Sequence, residues 1–396
     1  MEGEENNLPE IPVFRPNMGD EEINAIGEVL KSGWIGLGPK TKEFERKFAE
    51  YVGAKYAIAT NSCSGALHLA LDAIGATKGD EIITTPMTFV STSHAIVHNG
   101  AIPVFVDIDP ETLNIDPKEI EKKITPRTKA ILIVDYGGHP CELDEIKEIA
   151  DKNNLVIIED AAHACGSEYK GKKIGCGISD LTCFSFHAVK NLPTGDGGMI
   201  TTNNEEFAKR IKRMAWVGMN KDTFERSEHG FSWHYDILDY GFKYHMNDIS
   251  AALGLVQLGK LEMMNQRRRE IARRYDEAFR GLEWIKTPIV KEYAKTSQCN
   301  YCLKIENNKS RDELYNHLKK LGISTSVHYR PVYLFTIYQS NPMFRSMRLP
   351  HTEETWKKII LLPMFPSMTE EQIQRVIDGV KSFKVNNHNS FSYNNI

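Results

Sequence analysis

Asp180-Leu-Thr-Cys-Phe-Ser-Phe-His-Ala-Val-Lys190-Asn-Leu-Pro-Thr-Gly-Asp-Gly-Gly-Met-Ile200 reads as strand, loop, strand. Leu181 to Phe186 is a short apolar run. The loop after it carries one lysine, Lys190, and three glycines, Gly195, Gly197 and Gly198. A second apolar run, Met199 to Thr202, follows at once. A loop lysine is ordinarily a solvated surface charge. This one lies between two buried strands, five residues after Ser185, with His187 between them. Glycines at such a place let backbone approach a ligand or adopt positive φ. The stretch therefore predicts that Lys190 holds an aldehyde cofactor through its amine, with the Ser185 hydroxyl placed to bond a phosphate.

Working outward, five more short apolar runs predict strands, Tyr56–Thr60, Ile82–Thr85, Pro103–Asp107, Ala130–Val134 and Leu155–Ile158, which with Leu181–Phe186 and Met199–Thr202 make seven. Several lack alternation, the mark of strands covered on both faces. Helical stretches at Ser64–Ile74, Thr92–His98, Pro117–Lys123 and Leu143–Asn153 separate most of them, after two opening helices at Asp20–Leu30 and Lys42–Tyr51. Strands alternating with helices predict an α/β fold, a seven-stranded, mostly parallel sheet with helices on both sides. Such sheets take ligands at the carboxyl ends of strands.

Beyond Glu205–Trp216, a helix, residues 219–240 read as a long loop. Two helices follow, Asn247–Leu261 and Met264–Arg280, the second leading away from the first domain. The remainder reads as a smaller α+β domain: strands at Cys299–Ile305 and Thr325–Tyr329, a helix at Arg311–Leu321, and a last helix opened by the capping box Thr369-Glu-Glu-Gln372. The expected organisation is a disordered lead (1–10), a large cofactor-binding domain (11–262), a small C-terminal domain (263–385) and a disordered tail (386–396).

Composition narrows the class. The 396 residues are 41% apolar and 26% charged, with a formal net charge of −4 and a pI near 6.4, which gives no footprint for nucleic acid or an anionic membrane. Seven cysteines without repeated spacing suit free thiols in a reducing cytoplasm. The acidic start is unlike a signal peptide, and no apolar run has the length of a membrane span.

Three more stretches fall at strand ends. Asn61-Ser-Cys-Ser-Gly65 leads into a helix, whose N-terminus offers free N–H groups to a phosphate; a plain serine N-cap would look the same. Asp160, in Glu159-Asp160-Ala-Ala-His163, sits at the rim of a buried strand, where a carboxylate needs a partner such as a protonated pyridine nitrogen; His163 follows three residues on. Phe89, in Pro86-Met-Thr-Phe89, is placed to stack on a planar ring or simply to pack in the core. His163, Cys165, Cys176 and His187 lack zinc-site spacing, so no metal is expected, and no Gly-x-Ser-x-Gly elbow supports a hydrolase.

These motifs, with Trp34-Ile-x-x-Gly-Pro39 and Phe242-x-Tyr244-x-Met246-x-Asp248-Ile249, together resemble the DegT/DnrJ/StrS family of pyridoxal 5′-phosphate-dependent sugar aminotransferases, over residues 10 to 384. The resemblance implies the aspartate aminotransferase fold (fold type I), a homodimer with shared active sites, L-glutamate as amino donor and a nucleotide-linked keto sugar as acceptor. By position, Lys190 resembles the Schiff-base lysine, Asp160 the pyridinium partner, His163 the residue at the cofactor's phenolic oxygen and Phe89 the ring stacker. The Cys63 and Ser64 backbone with the Ser185 hydroxyl resemble the phosphate cradle. His328, Tyr329 and Arg330 resemble the segment that meets the sugar nucleotide, with Arg330 suited to a diphosphate. Two positions depart from the family. Lys243 stands where an asparagine usually reaches the neighbouring subunit's phosphate, and Cys63 stands for a glycine of the phosphate turn. Lys190 itself argues against the family's dehydratases, which carry histidine there. The Tyr-x-Met-x-Asp-Ile segment looks like that of members acting at C4 of 4-keto-6-deoxy sugars; 3-keto sugars, cyclitols and a non-catalytic regulatory role are the alternatives.

Overall fold

The computed structural model describes residues 9–220, 234–306 and 310–384. Residues 1–8 of the expected lead (1–10), the middle of the 219–240 loop (221–233) and the expected tail from 386 lie outside the described residues.

Seven strands form one sheet: β1 (Tyr56–Thr60), β2 (Glu81–Thr84), β3 (Ile102–Phe105), β4 (Thr128–Val134), β5 (Val156–Asp160), β6 (Leu181–Ser185) and β7 (Gly198–Thr202). Their order is β1-β7-β6-β5-β4-β2-β3. Every neighbouring pair is parallel except those of β7, which runs antiparallel to β1 and β6. The non-alternating sequences have their reason here. Ile131, Ile133 and Phe184 enter one core with Phe44, Phe48 and Ile146, while Ala130, Leu132 and Cys183 enter another with Leu67, Ala70 and Ile96. Period-two side chains that are apolar on both faces need a helix layer on each side.

A second, antiparallel sheet joins β8 (Ile285–Lys286), β9 (Tyr301–Ile305) and β10 (Ile359–Leu362). Helices Arg311–Lys320 and Glu370–Lys381 pack on it. The capping box opens the latter as read: Gln372 N–H donates to Thr369 Oγ1 at 3.2 Å, and Thr369 N–H to Gln372 Oε1 at 3.1 Å.

Two expectations are corrected. The two helices read on either side of residue 262 are one, Asp248–Phe279, of 32 residues. Its buried stripe runs unbroken through Leu261, Met264, Arg268, Ile271 and Tyr275, so nothing breaks it. Thr325–Tyr329 is not a strand; only Ser326 bridges to the sheet, at Leu361. The strand in that place is β10, which starts directly from the end of helix Pro350–Lys358. Just after the expected lead the chain is anchored: Ile11, fully buried, bridges to Ile323, and Val13 C=O accepts from Met364 N–H at 3.1 Å. Among the described residues, no helix is long and apolar enough to cross a membrane.

Candidate active site

The carboxyl ends of β2, β4, β5 and β6 converge with the N-terminus of helix Cys63–Ala73 on a cavity of about 340 Å³. Cys63, Ser64, Phe89, Asp160, His163, Ser185 and Lys190 all line it, as do His328 and Tyr329 from the second unit. A larger cavity, of about 510 Å³, lies beyond Tyr136 between residues 110–113 and 286–304; none of the sequence-predicted residues lines that one.

Asp160 ends β5 and is buried. Its Oδ2 accepts from Thr92 Oγ1 at 2.7 Å, and its Oδ1 from Ala162 N–H at 3.2 Å. Burial raises its pKa, while those donors and the nearby Lys190 charge pull the other way. Lys190 follows β6 in a loop pinned by its own N–H to His187 C=O at 2.9 Å. It lines the same cavity as Asp160, His163 and His328, and its charge bears on all three.

His163 is held as a neutral ring. Gly137 N–H donates to Nδ1 at 3.3 Å, so the proton sits on Nε2 and faces Tyr329 Oη at 3.1 Å. Burial and the Lys190 charge push its pKa well below the ordinary histidine value. The His163 and Tyr329 rings stack within 3° of parallel. His328, pushed down to about 4 by burial and Lys190, is held by Tyr136, whose hydroxyl donates to the His328 carbonyl. These two bonds explain why residues 325–329 leave the sheet edge: the segment is drawn across to the cavity.

The turn after β1 is a cradle. Ser62 caps the helix, accepting from Gly65 N–H at 3.1 Å. The Cys63 and Ser64 amides open the helix, and among the described residues neither donates to a backbone or side-chain acceptor. Cys63 keeps a negative φ, so it replaces glycine there without strain. Opposite stands Gly198, the first residue of β7. A Cβ at that position would lie 2.7–2.8 Å from the backbone of Ser62 and Cys63, so only glycine lets β7 pass this close. Gly195 takes φ +85°, which the turn between β6 and β7 requires.

Two predicted residues do not line the cavity of this chain. Lys243 puts its ammonium 3.2 Å from the centroid of the Trp216 ring, and burial lowers its pKa. Arg330 is exposed; its guanidinium donates to Leu334 C=O at 2.9 Å and lies over Phe335, turned to its own segment rather than inward. Sequence reading missed Thr92 and Tyr136. Thr92 had one usable signal, its spacing of one helical turn from Thr88. Among the described residues no three His, Cys, Asp or Glu side chains are grouped to hold a metal.

Behind the cavity, Asp135 and Glu159 form a wholly buried acid pair. Asp135 Oδ1 accepts from Cys141 N–H at 3.0 Å and Glu159 Oε2 from Thr182 Oγ1 at 2.9 Å. The two carboxyls also face each other, with Ser179 beside Glu159, an arrangement that fits one shared proton. Burial raises both pKa values, and repulsion from Glu159 raises that of Asp135 further. Carboxyls that titrate higher folded than unfolded add stability at low pH and lose it as pH rises through the folded value. Asp135→Asn supplies an amide N–H in place of the shared proton. It is expected to melt a few degrees above the parent at pH 9, with the gap closing toward pH 5. Thermal melts across that range check it; a gap that widens toward acid contradicts the pair.

The residues fit pyridoxal 5′-phosphate: a buried anion for its ring nitrogen, free amides at a helix N-terminus for its phosphate, a lysine for its aldehyde. The sequence profile of the DegT/DnrJ/EryC1/StrS aminotransferase family matches residues 16–381. Spore coat polysaccharide biosynthesis protein SpsC of Bacillus subtilis (strain 168) is 44% identical over 375 residues, 94% of this chain and 96% of the relative. The PLP form of putative sugar aminotransferase Spr1654 from Streptococcus pneumoniae superposes with a TM-score of 0.87 at 34% identity, covering 94% of this chain and 98% of that one. Helicobacter pylori PseC, an aminotransferase involved in the biosynthesis of pseudaminic acid, gives 0.87 at 32%, with the same coverage. A fold-type I sheet, a lysine and carboxylate at its strand ends, and a family match along nearly the whole length lead to one conclusion: the chain belongs to the DegT/DnrJ/EryC1/StrS aminotransferase family and is a transaminase dependent on pyridoxal 5′-phosphate.

Proposed function

We propose that this enzyme moves an amino group from L-glutamate to a nucleotide-linked 4-keto-6-deoxyhexose, giving the 4-amino sugar. The observation that carries the chemistry is Lys190 beside buried Asp160 and neutral His163, in a cavity closed on one side by His328 and Tyr329. The sugar is supported by what SpsC and PseC are named for, polysaccharide and pseudaminic acid biosynthesis. The C4 position is supported by the Tyr244-x-Met246-x-Asp248-Ile249 segment.

When bound, pyridoxal phosphate supplies an electron sink for the carbon next to the transferred nitrogen. The protein's share is placement and proton transfer. The Cys63 and Ser64 amides and the Ser185 hydroxyl hold the phosphate. Asp160 would keep a proton on the ring nitrogen, Phe89 would cover one ring face, and His163 would meet the phenolic oxygen. Lys190 would hold the aldehyde carbon, and its amine, when free, is the group placed to take a proton from the donor's α-carbon and give it back. Phe89 is 59% exposed in the single chain, as are several apolar residues, among them Ile23, Leu30 and Tyr240. That exposure supports a homodimer in which Lys243 reaches the partner's phosphate as a point charge. The cysteines form no disulfide, which suits the cytoplasm.

Purified enzyme, cofactor and glutamate mixed with a panel of nucleotide-linked 3-keto and 4-keto sugars test the proposal. The 4-keto-6-deoxy sugars are expected to gain nitrogen while 2-oxoglutarate accumulates. Amination confined to 3-keto sugars moves the site to C3, and no amination of any sugar contradicts the reading.

A further inference from the structure

One turn serves both the cofactor's face and its nitrogen. Phe89 ends the Pro86–Phe89 turn and is the N-cap of helix Val90–His98. Thr88 and Thr92 flank it, both buried. Thr92 Oγ1 lies 2.7 Å from Asp160 Oδ2 and 2.7 Å from Thr88 Oγ1. Thr92 has one hydroxyl proton, and the carboxylate can only accept. Thr92 therefore donates to Asp160, and its oxygen receives the Thr88 proton. The relay has one direction, from Thr88 through Thr92 to Asp160. The remaining contacts of that carboxylate are weaker: Ala162 N–H at 3.2 Å and the Cys63 thiol at 3.9 Å.

We propose that Thr92 is a positioning residue for the cofactor: its hydroxyl, oriented by Thr88, fixes the Asp160 carboxylate as an anionic acceptor for the protonated ring nitrogen. The inference rests on the reading of Asp160 given above. A hydrogen bond to a buried anion favours the charged form, and the short Thr92 bond is the strongest that Asp160 has. Thr92 reaches the cofactor only through Asp160.

The test is binding of pyridoxal 5′-phosphate itself to Thr92→Val, Thr92→Ser and Thr88→Val proteins. Spectroscopic titration gives Kd across pH, and melts are recorded with and without cofactor. In Thr92→Val the Kd is expected to rise about tenfold or more. The acid limit of binding should move to higher pH, because a carboxylate without its donor takes up a proton sooner. The cofactor-free melting temperature should stay near the parent's. Thr92→Ser should bind within about threefold of the parent, and Thr88→Val should fall between. Parental affinity in Thr92→Val, or failure of serine to rescue, overturns the inference; so does a loss of cofactor-free stability that accounts for the whole effect. If Thr92→Val does not fold, Thr88→Val decides: an unshifted acid limit there overturns the relay. Borohydride reduction separates the two layers. An adduct away from Lys190 sinks the cofactor reading; an adduct on Lys190 with unchanged Thr92→Val binding sinks only the role of Thr92.

Discussion

Lys190→Ala enzyme is expected to turn over at least about 10⁴-fold more slowly than the parent, and its cofactor should leave on dialysis after reduction with borohydride. In the proposed mechanism one side chain has two tasks. It makes the reducible bond to the aldehyde, and it moves the proton that interconverts donor and product. Alanine removes both at once, and water in a cavity of about 340 Å³ has no comparable placement. Single-turnover kinetics with glutamate and peptide mapping of the reduced parent are the measurements. In the parent the adduct should lie on the peptide holding Lys190. Activity within tenfold of the parent in the variant would contradict the mechanism, as would an adduct elsewhere.

Asp160→Asn is the second large effect, a loss of about 10²–10³ in kcat with a smaller change in KM for glutamate. Asparagine keeps the shape and can still accept from Thr92 and Ala162, so the fold should survive. It cannot stand as a full negative charge against the ring nitrogen, whose proton then leaves more readily. A cofactor analogue methylated on that nitrogen carries a permanent positive charge. It should restore part of the variant's rate while giving the parent no benefit. If the analogue helps neither protein, Asp160 has another role.

The large sheet was legible because its strands are apolar on both faces. Ala130-Ile-Leu-Ile-Val134 has no other economical home. Second-unit boundaries were less so. Ile359-Ile-Leu-Leu362 follows Lys357-Lys358 with no turn residue between, so helix passes into strand without punctuation. The helix Asp248–Phe279 hid its continuity behind Arg268, which interrupts the apolar stripe in sequence but is buried in space, donating to Met364 C=O at 3.0 Å. At the site, Asp160 and Ser185 could be singled out because each lies at the end of an apolar run, and Lys190 because it sits in the loop between two such runs. Thr92 could not be placed: the acceptor that gives it meaning is 68 residues away. Arg330 illustrates the reverse error, a charge next to the right residues whose side chain bends back to Leu334.

Ile11 lies fully buried against Ile323, its N–H on Gly322 C=O at 2.9 Å and its own carbonyl taking Ser324 N–H at 3.0 Å. During synthesis that residue emerges roughly three hundred positions before its pocket exists, a wait of about 15–60 s at ribosomal speeds. The second unit therefore completes its interior only when it captures a segment made long before the rest of it.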